Sequence, residues 1–212
     1  MSIFRRMLAL EENADGKAIN EVELTMYAKL IDMSDLLRAF SKEHHEQWLL
    51  KIPHTPDNAA SGNMRVRKTI PHITGDTEEF TFTTKISTHD KRSKIEVTVP
   101  TTKDNFEQFE MICDTALIKD RYCFKVANSN LIIEVDMFYL HGAEVGSGRY
   151  SDICKIDIEL PFVDTPMPEL PIRVTDIIYD DDNTTPEVRA EIDELYNTIF
   201  LTKNKFIHPP IR

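Results

Sequence analysis

A chain of 212 residues can bury roughly 70% of the surface its unfolded form exposes, so it needs no metal or disulfide staple to fold. Its 41% hydrophobic and 29% charged residues, with only 6 Gly and 11 Pro, exclude low-complexity disorder and a collagenous chain. The formal net charge of −11 repels nucleic acid and anionic membrane, so any basic site must be gathered locally.

From the amino terminus, Met1–Leu10 carries too few apolar residues for a signal-peptide core, and no later apolar run approaches the roughly 20 residues that span a bilayer. Strict period-two alternation then begins. Glu21, Glu23, Thr25, Tyr27 and Lys29 lie on one face of a strand, with Val22, Leu24, Met26, Ala28 and Leu30 on the other. Ser34 is a candidate cap for a helix running to about Trp48, and His54 to Gly62 reads as a loop. Alternation resumes with Arg65 and Arg67 around Val66. It continues with Glu79, Thr81, Thr83 and Lys85 against Phe80, Phe82 and Ile86, and with Lys94, Glu96 and Thr98 against Ile95, Val97 and Val99. Asp104 followed by Glu107 resembles a capping box for a second helix through Phe106, Phe109 and Ala116. Lys119 and Arg121, Glu134 and Asp136, and Lys155, Asp157 and Glu159 mark three more strands, the last two separated by a glycine-bearing loop from His141 to Ser151. Thr185 and Pro186 then open the third helix, with Val188, Ile192, Leu195 and Ile199 at helical spacing. Seven strands with mostly short connections predict an antiparallel sheet or barrel in one domain spanning residues 1–212.

Charge alternating along a strand normally marks a solvated face. Here, however, like charges come as same-face pairs, such as Arg65 with Arg67 and Glu134 with Asp136, and such pairs are costly unless opposite charge sits between them. The three amphipathic helices also need apolar surface, which the alternate faces of the same strands supply. The expected fold is therefore α+β: a closed eight-stranded antiparallel β-barrel, or tunnel, with charges inside and helices packed outside. Bases and carboxylates lining such an interior suit a polyphosphate with divalent cations.

Glu21-Val22-Glu23, Met64-Arg65-Val66-Arg67, Thr83-Thr84-Lys85, Lys119-Asp120-Arg121-Tyr122, Ile133-Glu134-Val135-Asp136-Met137-Phe138 and Lys155-Ile156-Asp157-Ile158-Glu159-Leu160 occur in an order and spacing that resemble the CYTH, or triphosphate tunnel metalloenzyme, superfamily, over about residues 20–200. Val174-Thr175-Asp176, leading to Tyr179 and Asn183, is similar to that superfamily's closing segment. The resemblance implies a tunnel that takes triphosphate or a nucleotide as a small-molecule partner, with Mg²⁺ or Mn²⁺. It implies hydrolysis of inorganic triphosphate or a nucleoside triphosphate, with a catalytically inactive nucleotide- or signal-binding module and an adenylyl cyclase as alternatives.

On this reading Glu21, Glu23, Asp157 and Glu159 are the metal ligands, and Arg65, Arg67, Lys85, Lys119, Arg121 and Lys155 bind substrate. Glu134 and Asp136 are the candidate catalytic carboxylates. Metal ligation and orientation of the bases stay open for both, as for Glu96. One departure stands out: the superfamily's Glu-x-Glu-x-Lys opening has Thr25 in place of its lysine, and Lys29, of the same facing parity, lies about 13 Å further along the strand.

The remaining features have plainer readings. His44 and His45 are read as a solvated helix end, and Asp180 to Asp182 as a solvated loop. Gly146-Ser147-Gly148 lacks the context of a phosphate loop. Cys123 and Cys154 read as packing or tunnel-wall residues. With Cys113 they form an odd set without C-x-x-C spacing, which argues against a disulfide framework and for a soluble cytoplasmic protein.

Overall fold

The computed structural model describes residues 22–52, 61–72, 77–87, 94–113, 115–127, 129–140, 150–160, 165–179, 185–199 and 201–202. Their strands are β1 (Val22–Leu30), β2 (Ser41–Ile52), β3 (Ser61–Pro71), β4 (Glu79–Ser87), β5 (Lys94–Pro100), β6 (Thr115–Lys125), β7 (Ile132–Tyr139), β8 (Tyr150–Leu160), β9 (Val174–Tyr179) and β10 (Leu201–Thr202). A 3-10 helix covers Met33–Arg38, and the α-helices are α1 (Lys103–Ile112) and α2 (Pro186–Ile199). Glu21, Gly146 to Gly148 and Asp180 to Asp182 lie outside the described residues.

All strands join one antiparallel sheet in the order β5-β4-β3-β2-β6-β7-β8-β1-β9. Because β7 pairs with β6 only from Lys119 onward, the Thr115–Ala116 end of β6 is left for β10. Among the described residues no pairing joins β5 to β9, so the sheet is open where a closed eight-stranded barrel was expected.

The largest correction concerns residues 34–48. Asp32, not Ser34, caps the turn, accepting from the Ser34 amide at 2.8 Å, and the chain is extended again from Ala39. What reads as the remainder of a helix is β2, the strand between β3 and β6. Both of its faces are covered, so apolar and polar residues follow one another without the clean alternation of a half-wet strand. The second helix begins two residues earlier than its sequence signal and stops at Ile112, leaving Ala116 to β6: Thr102 is the cap, its hydroxyl accepting from Asn105 N at 3.2 Å, with Asp104 in the first turn. Thr185 and Pro186 open α2 as expected, with Val188 N donating to Thr185 Oγ1 at 3.4 Å.

Period-two alternation gives the sheet two unlike faces. Met26, Ala28, Tyr122, Phe124, Ile133, Val135, Met137, Cys154, Ile156 and Ile158 build the main core on one of them. On the same face further along, α1 lays Phe106 and Phe109 against Phe80 and Phe82, with ring centroids 5.5 and 5.8 Å apart. No helix among the described residues is long and apolar enough to cross a membrane.

This packing fixes where truncation hurts. Phe106 is 5% exposed and Leu37 is 85% exposed. Phe106→Ala should cost about 3 kcal/mol through lost burial and an unfilled cavity, whereas Leu37→Ala should stay within about 0.5 kcal/mol. Urea unfolding of the two variants checks this, and equal midpoints would contradict the placement of α1.

Candidate functional site

Strand register assembles the opposite face row by row. Thr25, Asp157 and Glu134 are cross-strand neighbours, as are Lys155, Asp136, Arg121 and Glu43 in the next row. Lys119, His45 and Thr69 form a third row, Gln47, Arg67 and Thr81 a fourth, and Arg65, Thr83 and Thr98 continue toward β5. Arg65 with Arg67, Lys119 with Arg121, Glu134 with Asp136 and Lys155 with Asp157 thus meet on one continuous surface.

Arg121 is its centre. Its Nε donates to Asp136 Oδ1 at 2.7 Å and its Nη2 to Asp136 Oδ2 at 2.8 Å, a bidentate pair. Its Nη1 contacts Glu134, and Nη2 lies 3.8 Å from Asp157 Oδ2. Lys119 Nζ also contacts Asp136, which is fully buried. With both oxygens engaged, Asp136 is held as a strut between two cations. Burial opposes its charge, but Arg121 and Lys119 outweigh burial and hold the carboxyl well below the usual carboxylate range. Burial and the neighbouring Arg121 push Lys119 the other way, down to about 7, against the pull of Asp136.

Asp157 receives Lys155 Nζ at 2.6 Å and the Thr25 hydroxyl at 2.8 Å. Lys155 therefore brings an ammonium group directly beside Thr25 and Asp157. Lys29 does not do so: its Nζ pairs with Asp176 at 3.2 Å on β9, half exposed at the sheet margin. Toward β5, Glu96 joins Arg65 at 3.0 Å and Lys85 at 3.2 Å, orienting two bases at once. Glu159 faces Glu23 across β8 and β1 by register.

Arg67 has a different environment. Its partner is the Gln47 side-chain oxygen, which accepts from Nε at 2.9 Å and Nη2 at 3.2 Å once the amide is turned to satisfy both groups. Among the described residues no carboxylate pairs with it. Burial, with Arg65 and Arg121 nearby, lowers its pKa to about 9. Arg65 Nε is buried without a hydrogen-bond partner. This end of the surface is short of negative charge.

Glu43, His45 and Gln47 belong to the site but were hidden in the sequence by the helical reading of β2. The signal was present: Glu43, His45, Gln47 and Leu49 share one parity, and His44, Glu46, Trp48 and Leu50 the other. Both histidines are buried, on opposite faces, rather than forming a solvated end. On the apolar side His44 Nδ1 meets Asp120 Oδ1 at 2.8 Å, and that carboxylate also takes Lys42 at 2.8 Å, Tyr139 at 3.2 Å and the Tyr150 hydroxyl. Cys123 lies on the charged face opposite Glu134 and Cys154 in the core, and burial raises their thiols to about 11 and about 12, which leaves them poor nucleophiles.

A hollow of about 520 Å³ lies on the other face, between α1 and β5, lined by Val66, Phe82, Val99 and Phe109. Its apolar wall carries none of the charges above.

No family model and no curated protein matches the chain. Among solved structures, the crystal structure of the inorganic triphosphatase NE1496 is similar with a TM-score of 0.41 and 13% identity, over 79% of this chain and 95% of that one. The PH1819 protein from Pyrococcus horikoshii OT3 is similar with a TM-score of 0.41 and 16% identity, over 82% and 99%. At these identities both are likenesses of fold alone.

The Asp120 network makes stability depend on pH. Burial disfavours the charged imidazole of His44, but its bonds to Asp120 and Glu46 outweigh burial and raise its pKa. A raised folded pKa gives stability that is complete below the ordinary value of about 6.5 and is lost as pH rises through the folded value. Wild-type stability should therefore fall relative to His44→Gln as pH rises above about 6.5, and Asp120→Asn should flatten that difference. Denaturant midpoints across pH provide the test, and a wild-type curve parallel to His44→Gln would refute the pairing.

Proposed function

We propose that the charged face binds a triphosphate-bearing small molecule and, with a divalent metal, hydrolyses it. The observation that carries this reading is the cationic end around Arg67, where Arg65 and Arg67 lie close together and the partner of Arg67 is a neutral amide. A phosphate chain there would replace an amide oxygen with charged oxygens, a gain the arginine fork is shaped to collect. Further along, Lys119, Arg121 and Lys155 continue the cationic track at a spacing set by register.

The donor chemistry suits Mg²⁺ or Mn²⁺: Asp157 and Glu159 share a face of β8, and Glu23 pairs with Glu159 across β1, giving oxygen ligands alone. Among the described residues no group of three metal-ligating side chains converges, and Asp157 is held by Lys155 and Thr25. Glu23, Asp157 and Glu159, with Glu21, are the residues that would hold the ion, whose charge when bound draws electron density from the phosphoryl oxygens. The chain's own bases do the positioning. Because Lys155 and Arg121 already hold carboxylates, an incoming phosphate exchanges partners with Asp157 and Glu134, while the bidentate Asp136 keeps Arg121 aimed.

A binding module without turnover is the second reading, favoured by Thr25, whose hydroxyl occupies Asp157 where the superfamily places a lysine. Incubating pure protein with triphosphate, ATP or GTP, with Mg²⁺, Mn²⁺ or EDTA, and resolving the products separates the two. Metal-dependent multiple turnover is expected; ligand bound but recovered intact would decide for the module.

The groove itself is tested at Arg67. Arg67→Ala should weaken triphosphate binding about 30-fold, or about 2 kcal/mol, the scale for removing one partner of a desolvated charge pair. Calorimetric titration measures this, and a change under twofold would remove Arg67 from the binding surface.

A further inference from the structure

Four carboxylates on the charged face lie against lysine or arginine: Glu96, Glu134, Asp136 and Asp157. A carboxylate so paired is a weak base, because accepting a proton means giving up its cation. Glu43 is arranged differently. Its Oε2 lies 2.9 Å from His45 Nε2, and among the described residues no lysine or arginine nitrogen pairs with it. From the geometry we infer that Glu43, held by His45, is the proton-transfer group of this site; the inference rests on the hydrolytic reading above.

The surroundings support that role. His45 is 1% exposed, and burial together with Arg67, Lys119 and Arg121 keeps its imidazole neutral, well below the ordinary histidine value. A neutral ring presenting Nε2–H to Oε2 fixes the carboxylate in place without neutralising it, which leaves Oε1 to receive a proton. Burial raises the Glu43 pKa above the ordinary carboxylate value; Glu134 on β7 adds to this, while Arg121 on β6 and Arg67 on β3 oppose it. Glu43 is also the cross-strand neighbour of Arg121, so it sits in the row that meets the phosphate track. Two carboxylates either side of one arginine are thereby driven apart, Glu134 paired with the guanidinium and Glu43 poised to titrate, the division of labour that acid–base sites use.

In the step assigned to it, Glu43 Oε1 takes one proton from a water molecule. The water oxygen forms a bond to the terminal phosphorus, and the bridging P–O bond breaks with its electron pair going to the departing diphosphate. The proton then passes from Glu43 to solvent or product, restoring the carboxylate.

The test is Glu43→Gln, with Glu43→Asp as the rescue that keeps a carboxylate, assayed on triphosphate with Mg²⁺ or Mn²⁺. Glu43→Gln should lower kcat about 100-fold, the scale of one general base, while the triphosphate Kd changes less than threefold. Wild-type kcat should rise with pH along an acidic limb that Glu43→Gln lacks and Glu43→Asp recovers. A Glu43→Gln enzyme with kcat within twofold of wild type and its acidic limb intact overturns the assignment. So does a folded wild type that binds triphosphate without turnover, which leaves the binding groove standing. Absence of both binding and turnover instead sinks the groove reading itself.

Discussion

Arg121 stands where β7 and β8 bring three carboxylates together, and that position is set by register. Asp136 faces it across β7, Glu134 lies one row away, and Asp157 follows on β8. In the low dielectric of a covered face, three acidic groups at such spacing could not all stay ionised without a cation between them. A guanidinium satisfies this better than an ammonium would, since its planar fork binds Asp136 side-on and still has a nitrogen for Glu134. Charges that would be costly one by one become a connected network that links β6, β7 and β8 above the apolar core. The same network sets the limits of the chemistry, because every carboxylate committed to a cation is withdrawn from proton transfer.

Strand β6 shows how the two faces depend on each other. Lys119 and Arg121 point to the charged surface, and Asp120, between them, points the other way. There Asp120 is fully buried and gathers Lys42 and His44 from β2, Tyr139 from β7 and Tyr150 from β8. Four groups from three neighbouring strands on one carboxylate leave β6 little freedom to slide. Movement of β6 by even one residue would send Lys119 and Arg121 into the core and Asp120 onto the charged face, so the buried network on the apolar side fixes the aim of the bases on the other.

How much of this was legible depended on whether one face of a strand is wet. Residues 22–30, 79–86 and 94–99 alternate cleanly, and their strands were found with nearly correct ends, as were the facing parities of Arg65, Arg67, Glu134 and Asp136, whereas β8 begins at Tyr150, within the stretch read as a loop to Ser151. Thr185-Pro186 announced α2 because a cap and a fixed φ act locally. Strand β2 was missed for the opposite reason: covered on both sides, it mixes Glu43, His45 and Gln47 with Trp48 and Leu50, and the spacing of Leu37, Phe40 and Trp48 happens to suit a helix. With β2 went Glu43, His45 and Gln47, which needed the long-range pairing with β3 and β6 to be seen as neighbours of Arg67 and Arg121. Closure of the sheet was likewise beyond local patterning, since it depends on whether β5 and β9 pair rather than on what either contains.

Thr25 shows why a missing residue is better judged by its surroundings than by its absence. A lysine there would lie opposite Asp157, but Lys155, two residues before Asp157 on the same strand, already brings its ammonium to that carboxylate at 2.6 Å. The threonine hydroxyl takes the other oxygen at 2.8 Å. Asp157 is therefore fully engaged with one cation and one neutral donor, and a second ammonium at position 25 would meet Lys155 at short range. Lys155 on β8 thus supplies beside Asp157 the charge that a lysine at position 25 on β1 would bring. Moving the cation costs little in ground-state attraction, which falls gently with distance. It matters more for turnover, where charge must lie within hydrogen-bond reach of the atom on which it develops. Having threonine rather than lysine at position 25 would therefore bear more on the rate of the proposed hydrolysis than on whether the charged face can bind a phosphate chain.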